Sequence, residues 1–544
     1  MPSPLLLAAA LVAGPGAVAH VDDSNSHGAV GDAHLSLDEA IRLANGSLAL
    51  GSLSAAEQAR IVGTGPVLTI RIDAAVTPTI TAQAPLTGLA GQGPATGMVL
   101  VEGVPANGNR PVIDGNTQPT VLSLVAHTVR VMMLAFHGGG VAVDADLPAF
   151  PAGASMPMLM HCSFDGQTAC GVQVQAHGAG ESVLMMRNLT FTNMPLGVNL
   201  IDQTQGGRAM ADIEHTSFDG VTTGVHAAVD GSGTDTMVAL WRSTFTNGAT
   251  LASSTRGVGS SKLFMLRFVY VDATCSGDVI DCQGNVAGVT MVHHHHSDWT
   301  AGPGKHAFYV HPRTATFDLH GSEMVFRGDV VFAGNTGSPR FWHQNNRYEN
   351  CTITFDVDGA LPNLLWNHYD GCTIQVPFSA RSPVDLRNSE LVNTDVDCQS
   401  FLAPVELDGC HRIGGTLTGF ATETNPAPAP FLGATDVTPR FPAVGTAVTL
   451  SADLPAGVAM IWDLASSDPR PYTSAEPVRL YGIPYTLVPL PVLVIYQSTL
   501  TVPIPNQPTL IGEEFYWQGI SLPLNGQPWI PAYHLPRGGR TLLQ

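Results

Sequence analysis

Four short segments with one spacing constrain this chain more than anything else in it. They are Cys162-Ser-Phe-Asp-Gly166, Leu189-Thr-Phe-Thr-Asn193, Thr216-Ser-Phe-Asp-Gly220 and Ser243-Thr-Phe-Thr-Asn247. Their aromatic anchors, Phe164, Phe191, Phe218 and Phe245, stand 27 residues apart. The series continues through Tyr270, Trp299, Phe326, Tyr348, Tyr369, Leu391 and Ile413 at steps between 21 and 29. Two residues after each anchor stands Gly, Asn or Asp, with Ala301 as the exception. A sustained period in the twenties is the signature of a solenoid.

The chemistry of one repeat selects the kind of solenoid. Around each anchor, apolar and polar residues alternate as in a strand. Gly and Asn tolerate positive φ and suit the sharp corner that follows. A second short strand follows in Gly171-Val-Gln-Val174, Gly197-Val-Asn-Leu200 and Gly224-Val-His-Ala227. Helical spacing is absent, which argues against leucine-rich, ankyrin and tetratricopeptide repeats. The expectation is a parallel β-helix, each anchor stacked about 4.8 Å above the next. A propeller or sandwich of independent hairpins is the alternative, and it needs longer units. Leu89, Ile113 and Phe136 extend the anchors backwards, so the helix is expected over 65–420.

Composition agrees with a turn-rich β protein: 57 Gly and 40 Pro among 544 residues, and only 12% charged residues. The net charge of −20 disfavours nucleic acid and anionic membranes as partners. Leu5–Ala13 is apolar and precedes Ala17-Val-Ala19, an A-x-A site, so residues 1–19 read as a secretory signal. No later run is long enough to span a membrane as a helix. A secreted or cell-surface monomer is expected.

All eight cysteines fall in the repeats. Cys351 and Cys372 each stand three residues after an anchor, so adjacent rungs would stack them at a spacing compatible with a disulfide. Cys162 with Cys170, Cys275 with Cys282, and Cys398 with Cys410 are close enough to close local loops. Zinc is the rival reading, but no C-x2-C pair is present.

Ahead of the repeats, Ser36-Leu-Asp-Glu39 and Ser54-Ala-Ala-Glu57 are capping boxes that open two short helices within 20–64. An amphipathic helix there would cap the first rung. The segment Leu35-Ser-Leu-Asp-Glu-Ala-Ile-Arg-Leu-Ala-Asn45 resembles the "S-L-R-E-A-I … A-N" opening of secreted bacterial right-handed β-helix proteins. These include polymorphic outer-membrane-protein-like and pectate-lyase-like surface proteins. Asp38 stands where that pattern usually has Arg. After a Pro/Ala/Thr-rich linker at 421–436, the stretch 437–544 reads as a β-sandwich of short strands. Its Ile504-Pro-Asn-Gln-Pro508 and Tyr516-Trp-Gln518 resemble C-terminal modules of planctomycete-type secreted proteins. The expected architecture is therefore all-β: a right-handed parallel β-helix solenoid with an N-terminal helical cap and a C-terminal β-sandwich domain.

Chemistry on a β-helix must sit outside, because the inside is packed core. Outward positions are bland in the first rungs and charged later. His296, Asp298, Glu323, Arg327, Arg347, Glu349, His368 and Asp370 are candidates for one patch. Arg would neutralise a uronate carboxylate while His or a second Arg takes the α-proton, or paired carboxylates would hydrolyse a glycosidic bond. Salt-bridged charge ladders are the competing explanation. In His293-His-His-His296, alternate side chains face opposite ways. His294 falls with Ile213, Leu240 and Met265 in an apolar column. His293 and His320, each six residues before its anchor, are candidate ligands for zinc or copper, against a surface run with no ligand. Asp278, Asp281, Asp356 and Asp358 are weak candidates for Ca2+. The expected function is non-catalytic contact with polysaccharide or cell-surface glycan, with a pectate-lyase-like lyase or a glycoside hydrolase as the alternative.

Overall fold

The structure is a computed structural model. It describes residues 16–426 apart from 91–97, 126–128, 148–155, 231–234, 284–287, 312–315, 336–340, 360–362 and a few shorter stretches. Beyond 426 it describes chiefly the strands named below. Strands are short, parallel and stacked in register, which makes the repeat region a parallel β-solenoid. The chain divides into two compact units. One is Met1–His320 with Arg327–Arg340 and Asp356–Ala360; the other is Gly321–Phe326, Phe341–Phe355 and Leu361–Gln544. The division falls inside the repeats rather than in 421–436.

In the first unit each rung contributes to three sheets. The anchor column runs Ile80, Ile113, Phe136, Phe164, Phe191, Phe218, Phe245, Ala273 and Trp299. The second sheet carries Leu122, Val143, Val172, Val198, Val225, Ala252 and Ile280. The third carries Ile70, Val101, Val131, Leu159, Met186, Ile213, Leu240, Phe268 and His294. These three columns meet inside the rung as the core. Phe136, Phe164, Phe191 and Phe218 stack with centroids 4.8–5.2 Å apart and rings within 10° of parallel. Gly171 and Gly197 give these rings room: a Cβ on either would stand 2.6 Å from the ring of Phe191 or Phe218.

In this unit two expected anchors move. Ile80, not Leu89, starts the column; Leu89 instead bridges to Leu124. Tyr270 is not an anchor. It lies in a corner column three residues before the anchors, with Met133, His161, Asn188, His215 and Arg242, all at φ between 50° and 60°. Ala273 takes the anchor place. The aromatic count misled because a corner residue and an anchor are three apart and both can be large.

At the N-terminal end, helix α1 (Leu37–Ala44) has the expected box. The Ser36 amide donates to Glu39 Oε2 (2.9 Å), and the Glu39 amide donates to Ser36 Oγ (3.3 Å). Leu37, Ala40, Ile41 and Ala44 are buried against the first strands. Asp38, the departure from the Arg of the resembling pattern, accepts from the Thr87 amide (2.8 Å). Asn45 clamps the backbone at Gly88 and Ala90 (2.8 and 2.9 Å). Helix α2 (Ala55–Gln58) repeats the box with Ser54 and Glu57. Ala17 and Ala19, read as a cleavage site, lie buried in the strand Ala17–Val21, which pairs in parallel with Val67–Asp73. The run Leu5–Ala13 lies outside the described residues.

Within the second unit an anchor column runs through Phe326, Tyr348 and Tyr369, stacked at 5.1 and 5.0 Å. Leu391 and Arg412 follow. Arg412, not Ile413, holds the last place, and Ile413 is exposed. The corner glycines and asparagines sit two residues past the anchors as expected, at Asn350, Gly371, Asn393 and Gly414, all at positive φ. Ala421–Thr424 still pairs with Val405–Asp408, so rung pairing continues into the expected linker. Farther on, Asp436–Thr438, Ala447–Ser451 and Thr499–Pro503 form one antiparallel sheet. Val458–Ala465, Leu493–Ile495, Glu514–Pro523 and Gly539–Leu542 form another.

Candidate functional site

Residues flanking the anchors point outward, as strand alternation requires. In the first unit they form an internally satisfied ladder. Asp165 accepts from Thr192 Oγ1 (2.7 Å) and Asn193 Nδ2 (2.9 Å) of the next rung, and these bonds hold its carboxyl below the usual range. Asp219 accepts in the same way from Thr246 Oγ1 (3.2 Å) and Asn247 Nδ2 (2.7 Å). Asp-Gly rungs therefore alternate with Thr-Asn rungs, so that each carboxylate meets donors rather than a like charge. The alternation was visible in the four opening segments, but only a parallel stack gives it meaning.

The charged candidates are paired rather than convergent. In the first unit Arg327 Nη1 lies 2.5 Å from Asp298 Oδ1. In the second, Arg347 Nε lies 2.5 Å from Glu349 Oε1, and His368 Nδ1 lies 2.9 Å from Glu390 Oε2. Arg347 stands in register with His368, and Glu349 with Asp370. Glu390, which was not among the residues expected in the patch, is buried beside His368. His296 and Glu323 lie outside the described residues. The geometry thus supports charge ladders.

Behind these ladders runs a buried polar column two residues before the anchors, which the sequence reading missed. Ser243 accepts from the Thr216 amide and Ser297 from the Val271 amide. In the second unit Asn346 accepts from the Met324 amide (3.0 Å), and Asn367 from the Asn346 amide (2.9 Å). Each side chain satisfies a backbone donor that the corner removes from the sheet.

The cysteines correct an expectation. All eight are free and buried. Cys351 and Cys372 do stack on adjacent rungs, but their Sγ atoms are 3.6 Å apart, and Cys372 Sγ also lies 3.2 Å from the Tyr348 carbonyl oxygen. That is hydrogen-bond geometry, well beyond the roughly 2.05 Å of a disulfide. The hydrogen bond with Cys351 lowers the Cys372 thiol, outweighing its burial. Cysteines close in sequence sit in different elements of the rung: Cys170 begins a second-sheet strand while Cys162 precedes an anchor strand. Cys275 and Cys282, and likewise Cys398 and Cys410, are separated in the same manner. Burial pushes Cys162 up to about 11 and Cys170, Cys275, Cys282 and Cys410 to about 12. Thiol titration at pH 8 should accordingly find eight free thiols in unfolded, unreduced protein and almost none reacting in the native state. A denatured count below eight would establish a disulfide.

No family model, curated protein or solved structure matches the chain. Its function has to be read from its own surfaces.

Two features stand apart from the ladders. The first is a row of exposed aromatics in the second unit. Phe378, Phe401 and Phe420 are 70, 57 and 50% exposed, and each neighbouring pair of rings lies 6.3 Å apart. They follow the strands Thr373–Val376, Asp395–Cys398 and Leu417–Gly419, which stack on one another. Leu402 is exposed beside them. The second is in the first unit, where His293, Asp318 and His320 bring one ligand atom each to within 4.8 Å of one another. This is the one grouping of three His, Cys, Asp or Glu side chains with such geometry among the described residues. Asp278, one of the weak candidates for Ca2+, faces the His306 ring, with Oδ1 2.9 Å from Nδ1. His294 is fully buried, packed near Trp299 and Phe308 in the column of Ile213, Leu240 and Phe268; Phe268 replaces the expected Met265.

Proposed function

We propose that this is a secreted or cell-surface β-solenoid that binds polysaccharide on its outer surface without cleaving it. The aromatic row carries the reading. Large apolar side chains exposed together mark an interaction site rather than ordinary surface. Phe378, Phe401 and Phe420 are exposed, and they repeat with the rungs. A periodic polymer with apolar C–H ring faces suits a periodic row of aromatic faces. Polar groups lie on the strands that lead into the row. Gln399 Nε2 and Thr418 Oγ1 both meet Asp397, at 2.9 and 3.0 Å, and can hydrogen-bond sugar hydroxyls with their remaining capacity. The pairing of Arg327, Arg347 and His368 with carboxylates favours binding over uronate chemistry. The resemblance of the Leu35–Asn45 segment to secreted bacterial β-helix proteins supports the extracellular placement.

The test is co-sedimentation with insoluble pectate, alginate and neutral glycans, with soluble products sized from the same tubes. Binding to at least one glycan is expected, weakened about tenfold (about 1.4 kcal/mol) by Phe401→Ala, with no shortened chains. Shortened chains that disappear in Arg347→Ala or His368→Ala would replace this reading with that of a lyase or hydrolase. Unchanged binding in Phe378→Ala and Phe401→Ala would remove the aromatic row from the function.

A further inference from the structure

We propose that His293, Asp318 and His320 form a binding site for one divalent transition-metal ion of the zinc class. The strands Val289–His295 and Thr316–Ser322 carry the three residues. Asp318 and His320 are two apart on one strand, so alternation sends both side chains to the same face. His293 reaches that face from the other strand, and its ring centroid is 4.6 Å from that of His320. His320 Nε2 is already 2.8 Å from Asp318 Oδ1, a distance at which the two share a proton that a cation would displace. All three side chains are partly buried, so rotamers are restricted and little ordering remains to be done on binding.

The donor set selects the ion. Two imidazoles and one carboxylate suit zinc, copper, cobalt or ferrous iron, whereas Ca2+ requires six to eight oxygen ligands. Three protein ligands leave at least one position open for water or an outside ligand, the pattern of reactive rather than purely structural sites. The ligand atoms, all within 4.8 Å of one another and as near as 2.8 Å for His320 and Asp318, must adjust to the roughly 3.3 Å edge of a tetrahedral site with metal–ligand bonds of about 2.0–2.1 Å. Side-chain rotation on a fixed backbone covers that distance. One feature opposes the ion: Arg267 stands in register with His293. Its guanidinium is held over the Trp241 ring, 4.4 Å from the centroid, and at His293 the Asp318 carboxylate outweighs it.

Full-length protein freed of metal would be titrated with Co2+, read by visible absorbance, and with Zn2+, read by calorimetry. The expected result is one ion per chain, with Ca2+ and Mg2+ failing to compete. His320→Gln and Asp318→Asn should each weaken binding at least tenfold. Circular dichroism would confirm that the variants fold. If His320→Gln does not fold, Asp318→Asn and His293→Gln carry the test. The competing outcome is chelation by the contiguous histidines in the manner of an affinity tag. In that case neither His320→Gln nor Asp318→Asn would weaken binding, and the proposal would fall. Absence of saturable binding would overturn it equally.

Discussion

Lys262→Ala should lower the stability of the first unit by about 3–5 kcal/mol, seen as a lower urea midpoint. Lys262 and Asp202 are both 0% exposed, and Lys262 Nζ lies 2.7 Å from Asp202 Oδ1. The ammonium also donates to Thr204 Oγ1 (2.7 Å). Asp202 accepts from the Thr204 amide (2.9 Å), from Thr204 Oγ1 (2.8 Å) and from Thr236 Oγ1. Arg256 in turn holds the Lys262 carbonyl. Removing the lysine leaves a carboxylate buried among hydroxyls with no cation, and that desolvation sets the size of the loss. Lys262→Met should fail to rescue, because it restores volume without charge. If Lys262→Met proves as stable as the native chain, the network contributes no net stability and packing alone holds the corner.

Phe191→Ala should cost a comparable amount, about 3–5 kcal/mol, through loss of apolar contact and the cavity left behind. Its ring is sandwiched between Phe164 and Phe218 at 4.8 and 5.0 Å, so two stacking contacts go at once. Gly171 supplies an internal check. A methyl there meets Phe191 Cδ1 at 2.6 Å, so Gly171→Ala should destabilise the native chain. The same change in the Phe191→Ala background should cost far less, since the clashing ring is gone. Additive losses in that double-mutant cycle would show that Gly171 acts through its backbone instead.

How legible the molecule was depended on whether a feature repeats. Phe164, Phe191, Phe218 and Phe245 recur at one spacing and fall in one column, and their Gly or Asn partners mark the next corner. Where the rung length changed, the pattern slipped: Tyr270 outranked Ala273 because size was being counted rather than backbone position. His294 was placed in the core from its column alone, and it is buried there. The candidate site was less readable. Outward positions identify which side chains can meet, but not that Arg347 turns to Glu349 or that His368 takes Glu390. Phe378, Phe401 and Phe420 escaped notice because they lie beyond the strand ends and keep no fixed distance from the anchors. Asp318 was missed for a related reason, since a ligand two residues from His320 falls outside a search confined to one column.

The alternation of Asp-Gly with Thr-Asn rungs has a bearing on how such a chain can grow. Removing the single coil between Asp165 and Asp219 would place carboxylate over carboxylate about one strand spacing apart, with the Thr and Asn donors gone. Removing two adjacent coils would restore the original succession. In this stretch the unit that can be removed without setting carboxylate on carboxylate is therefore a double coil of 54 residues, twice the spacing of the phenylalanines.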